Sequence, residues 1–151
     1  MHSPLTLDQR FDDPRFSAAL LKRLPEYLAK QRWFTSKGKA ITNCKIREAY
    51  PVTRDTTLVV MEIHFGDKST EYYQMPLAQL THTDDQRRYL KDNATMVLLR
   101  VPGGPFIVDA VPLPAFRRAL YELVRRGADT PEGINCEAGQ LLKYAPDSAD
   151  S

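Results

Sequence analysis

Residues able to ligate metals, move protons or attack carbonyl carbons are few in this chain and do not converge. The three histidines, His2, His64 and His82, stand apart from one another. His64 alternates with the apolar side of a strand-like run, so it is expected to face solvent or make one hydrogen bond rather than act as a base or ligand. Cys44 and Cys136 form no Cys-x-x-Cys and share no metal-ligand spacing with a histidine. They are expected to be reduced, partly buried thiols. Ser17 and Ser36 lack a His or Lys arrangement that would activate a hydroxyl. Asp109 ends an apolar run, and capping the turn toward Pro114 is the expected use of its carboxylate. Gly103-Gly104 lies between prolines and reads as a hairpin turn, because no helix start follows it to hold an anion. There is no Gly-x-Gly-x-x-Gly, no Gly-x-x-x-x-Gly-Lys and no His-Arg-Asp loop. The sequence therefore offers no catalytic set, no metal site and no cofactor site.

One short segment does concentrate recognition chemistry. Gln31-Arg32-Trp33-Phe34, followed by Lys37, carries the only Trp of the chain beside hydrogen-bond donors and cations. Two uses compete for these rings. They can pack a helix end onto a sheet, or they can join Gln31, Arg32 and Lys37, expected as exposed donors, in facing a partner. Arg and Trp together are common interface hot spots, worth ~2 kcal/mol or more each when desolvated.

Composition narrows the partners. The chain has 151 residues, of which 42% are hydrophobic and 26% charged, a range typical of one globular domain with a real core. A net charge of +2 is too small to imply nucleic acid or a membrane surface. Tyr72-Tyr73 and Arg87-Arg88 could suggest single-stranded nucleic acid, but aromatics on a strand usually pack. No apolar run approaches the ~20 residues of a membrane span, and the start of the chain does not read as a signal peptide. A cytoplasmic location is expected.

The elements that position the segment follow from periodicity. Residues 1–13 read as a polar lead-in. Asp13-Pro14 starts a helix, with Phe16, Leu20, Leu24, Tyr27 and Leu28 at helical spacing. Pro25 predicts a break or kink near Arg23, then a short second helix to about Gln31. Cys44 to Tyr50 alternates roughly. Val59, Met61, Ile63 and Phe65 share one strand face, and Glu71 to Met75 forms a third strand ended by Pro76, giving an antiparallel meander. Residues 79–93 read as a polar excursion with at most one helical turn. Met96–Val101 and Phe106–Val111 form a hairpin. From Pro114, Phe116, Leu120, Leu123 and Val124 make a second apolar helical stripe, with Gly127 as its stop. Gly139–Tyr144 reads as an edge strand and residues 145–151 as a flexible tail or linker. The fold class expected is α+β, an N-terminal helix on a curved antiparallel sheet with a second helix in the C-terminal half.

The run Leu24-Pro25-Glu26-Tyr27-Leu28-Ala29-Lys30-Gln31-Arg32-Trp33-Phe34, with Lys37, resembles the start of bacterial maltokinases, including the maltokinase part of trehalose synthase fusions. Tyr73-Gln74-Met75-Pro76-Leu77, Ile107-Val108-Asp109-Ala110 leading into the Phe116–Val124 helix, and Gly139-Gln140-Leu141 agree in order. The resemblance spans roughly residues 14–144 and implies the family's N-terminal cap, a cystatin-like helix-on-sheet unit. It implies that the kinase lobes, with their ATP and magnesium sites and catalytic residues, lie outside this sequence. Thr35 and Ser36 stand where the family tends to have smaller residues or glycine. The expected function is a non-catalytic cap acting on a kinase N-lobe in cis or in trans, with docking through Gln31, Arg32, Trp33, Phe34 and Lys37. The alternative is a stand-alone α+β binding or self-association module, a homo-oligomer being possible. A complete small enzyme would need an acid–base pair that the sequence does not present.

Overall fold

The structure is a computed structural model that describes residues 5–126. Along the chain run α1 (Leu7–Phe11), α2 (Pro14–Ala29), β1 (Ile41–Thr53), β2 (Thr56–Phe65), β3 (Thr70–Leu80), α3 (Thr83–Asn93), a 3₁₀ turn (Ala94–Met96), β4 (Val97–Arg100), β5 (Phe106–Asp109) and α4 (Pro114–Arg126). The strands form one antiparallel sheet in the order β1-β2-β3-β5-β4. The meander and the hairpin are both present, and the hairpin joins through β5, whose Ile107 sits opposite Gln79. The turn between β4 and β5 uses Gly103 at φ +67°, a conformation that costs glycine little. Register shifts at three places along β1–β2 mark bulges, which bend and coil the sheet. The fold is α+β, a helix laid on a curled open sheet. The expected Gly127 stop, the Gly139 strand and the tail lie outside the described residues.

Alternation divides the core in two. Val59, Met61, Ile63 and Phe65 of β2, with Tyr73, Met75 and Leu77 of β3, meet Leu20, Leu24, Tyr27 and Leu28 of α2 in one cluster. Leu58, Ala78 and Val108 on the opposite sheet face meet Tyr89 of α3 and Phe116 of α4. Of the expected α4 stripe, Phe116 is buried, while Leu120, Leu123 and Val124 are half-buried.

Several expectations are corrected. The lead-in contains α1: Thr6 and Gln9 form a reciprocal capping box, and Leu7 is fully buried with its amide donating to the Arg54 carbonyl. Pro25 does not break α2, which runs continuously through it. A proline inside a helix costs ~3 kcal/mol. Burial of four large side chains around Pro25, at ~1.5–3 kcal/mol each, offsets that cost. Pro76 does not end β3 either. Its carbonyl accepts from Ala110 N at 2.9 Å, so its missing donor also points toward β5, just past the last β3–β5 pair, Leu77–Asp109. Residues 83–93 are three turns of helix rather than one. Asp84–Arg87 and Asp85–Arg88 ion pairs at i,i+3 line α3, and Tyr89 is its one buried side chain.

Candidate docking face around Trp33

The segment between α2 and β1 turns at the helix end and lies across the sheet's β2–β3 end. Lys30 caps α2, Gln31 N donates to the Leu28 carbonyl at 3.0 Å and Phe34 N to the Gln31 carbonyl at 3.3 Å. Neither Thr35 nor Ser36 has a positive φ, so the loop does not require glycine where the sequence carries larger residues. The Ser36 hydroxyl donates to Glu71 Oε2 at 2.7 Å and ties the loop to β3.

Aromatic packing fixes the arm. The Phe34 ring is 5.6 Å from Tyr73 and 6.4 Å from Phe65 between centroids, and it is buried. Trp33 is half-buried, 5.7 Å from Tyr73, 6.4 Å from Phe34 and 6.5 Å from Tyr27. Offset and edge-to-face pairs at these separations add ~0.5–1.5 kcal/mol each beyond area burial. The Tyr73 hydroxyl donates to Glu71. Lys39 stands 5.3 Å over Phe65 and 3.3 Å from Asp67. Hydrogen bonds from Ser69, assisted by Lys39, hold the Asp67 carboxyl down to about 2.

The five residues expected to face a partner separate by exposure. Arg32 and Lys37 are exposed, Trp33 shows part of its ring, and Phe34 is inside. The expectation of Gln31 as an exposed donor is corrected. It is 5% exposed, and Nε2 donates to the Tyr27 carbonyl at 3.1 Å and the Thr95 carbonyl at 2.9 Å. Gln31 thus pins the α2 end to the turn before β4. Glu71, Tyr73, Phe65 and Lys39 complete the surroundings of the arm. The part of Phe65, Glu71 and Tyr73 was not read from the sequence, because they reach the arm from strands further along the chain.

Below this face sits a buried polar group. Asp109 Oδ1 accepts from Val111 N at 2.8 Å, the expected cap of the turn before Pro114, and the neighbouring Tyr27 hydroxyl also favours the charged carboxylate. Burial pushes the Asp109 carboxyl above the usual range, and Val111 N and Tyr27 offset this only in part. Tyr89 donates to the Asp109 carbonyl at 2.7 Å. His64 makes contacts with Glu62 at 2.5 Å and Thr70 at 3.2 Å on the partly open sheet face. Among the described residues, no three His, Cys, Asp or Glu side chains are grouped as a metal site, and no helix is long and apolar enough to cross a membrane.

A half-exposed indole on an arm locked to a sheet, with exposed Arg32 and Lys37 on the same segment, can grip another macromolecular surface. These features define an α+β domain with an aromatic arm packed across its sheet. A family model for the maltokinase N-terminal cap domain matches residues 27–112, more than half of the chain. The chain belongs to the maltokinase N-terminal cap domain family.

Proposed function

We propose that this chain serves as a non-catalytic cap on a maltokinase-type kinase body, in cis or in trans, and that the body supplies the ATP, magnesium and catalytic groups. Membership of the cap family carries this reading. The arm supports it with a division of labour. Phe34 and Gln31 hold the arm in place, while Arg32, Lys37 and the open part of Trp33 remain available. Exposed cations around a fixed aromatic give orientation and rapid encounter with an acidic surface.

The test supplies a maltokinase body as a separate protein and measures maltose phosphorylation with ATP and magnesium. Adding this chain raises or stabilises the activity, and Arg32→Glu/Lys37→Glu abolishes that effect while circular dichroism stays unchanged. Full effect from the double variant would remove the arm from the docking face. No effect from the unaltered chain would defeat the cap reading itself.

A further inference from the structure

On the other side of the sheet, α4 carries a feature that the cap reading does not use. Arg117, Tyr121 and Arg125 follow one another at four-residue spacing, with Arg118 beside them, so all four share one arc of the helix. The opposite arc, with Phe116, Leu120, Leu123 and Val124, packs toward the sheet, which fixes the arginine arc outward. Tyr121 is 65% exposed, more than any other large hydrophobic side chain among the described residues. Arg125 is held by Glu122 at 2.8 Å, whereas neither Arg117 nor Arg118 pairs with a carboxylate among the described residues.

We propose that this face of α4 is a docking surface for a carboxylate-rich segment of a second protein, gripped by Arg117, Arg118 and Arg125 around Tyr121. Charge complementarity selects the occupant. The whole chain is close to neutral, with 21 Lys and Arg against 19 Asp and Glu, so the complementarity is local: α4 alone has four arginines and one glutamate. The guanidinium fork matches a carboxylate in two parallel hydrogen bonds, and a rigid Tyr gives contact area at little entropic cost. A continuous polyanion such as nucleic acid fits less well. Glu122 lies within the patch, and Asp85 and Asp92 share with Arg118 the cleft between α3 and α4, so a phosphate backbone would meet carboxylates along its path. Discrete side-chain carboxylates can settle between them.

The experiment uses the full chain with fluorescein-labelled poly-L-glutamate as probe and labelled poly-dT as the polyanion control, read by anisotropy at low salt. Binding of poly-L-glutamate is expected to weaken at least about tenfold in Arg117→Glu/Arg118→Glu, as several exposed pairs are lost and reversed together. Tyr121→Ala weakens it severalfold, and Arg15→Glu/Lys22→Glu on α2 leaves it unchanged. All the altered side chains are exposed, and circular dichroism checks the fold of each variant. The proposal fails if poly-L-glutamate does not bind, or if the α2 variant loses as much as the α4 variant. It fails equally if poly-dT binds as tightly as poly-L-glutamate and loses its affinity with Arg117 and Arg118, because the face then recognises nucleic acid.

Discussion

Phe34→Ala isolates the contact that holds the arm to the sheet. The ring is 3% exposed and meets Trp33, Phe65 and Tyr73 with centroids 5.6–6.4 Å apart. Removing a buried phenyl group costs about 3–5 kcal/mol, a large part of the ~5–15 kcal/mol that holds a domain folded. Phe34→Leu keeps most of the apolar burial but loses three ring–ring contacts, so it should cost about 1–2 kcal/mol. Urea unfolding followed by circular dichroism measures the whole fold. Fluorescence of Trp33, the sole indole, reports the arm itself. With a urea dependence of about 2 kcal/mol per molar, Phe34→Ala moves the midpoint down by about 1.5–2.5 M and Phe34→Leu by under about 1 M. Both signals move together, because the arm and the sheet share one core. A shift below about 0.5 M for Phe34→Ala, or an arm signal that melts while the sheet stays intact, would refute the claim that this ring locks the arm.

Other consequences can be measured on the same material. Asp109 binds its proton more tightly when folded than when unfolded, so its own contribution to stability falls as pH rises through the carboxylate range from about 4, opposite in sign to that of Asp67. Asp109→Asn keeps an acceptor for Val111 N and removes that contribution, so its stability gains on that of the parent chain as pH rises; parallel urea-midpoint profiles against pH for the two chains would refute the assignment. Leu7→Ala removes a fully buried side chain of α1 and should cost about 2–5 kcal/mol in urea unfolding, whereas a merely adhering terminus would lose almost nothing.

Much of the frame was legible because it is written in periods. The 2-residue period of Val59 to Phe65 and the stripe from Phe16 to Leu28 identify surfaces that must face each other, and they do. The hairpin around Gly103 was readable from its turn residues. What escaped depends on partners distant in sequence. Only one residue of α3, Tyr89, is buried, so the helix shows no apolar stripe; ion pairs and its docking against β3 and the turn after it sustain it. Thr6 and Gln9 did spell a capping box, but the value of α1 lies in Leu7 entering a core assembled by residues far downstream. Prolines 25 and 76 each break a local rule, and burial around one and strand geometry around the other override it. At the candidate site, the anchoring role of the aromatics was visible, while the inward turn of Gln31 was not. An amide is compatible with water or with two carbonyls, and only the approach of Thr95 decides between them.

The family-model match begins at Tyr27, yet the buried interior begins at Leu7. Leu20 and Leu24 also precede that boundary, and Gln79 reaches back to the Leu5 carbonyl and takes a hydrogen bond from Arg10. A fragment trimmed to the matched residues would strip α1 and most of α2 from the sheet face they cover and leave its apolar side chains open to water. The length of chain that matches the family and the length that shares one interior are therefore different here, and the longer one is what any fusion or excision has to respect.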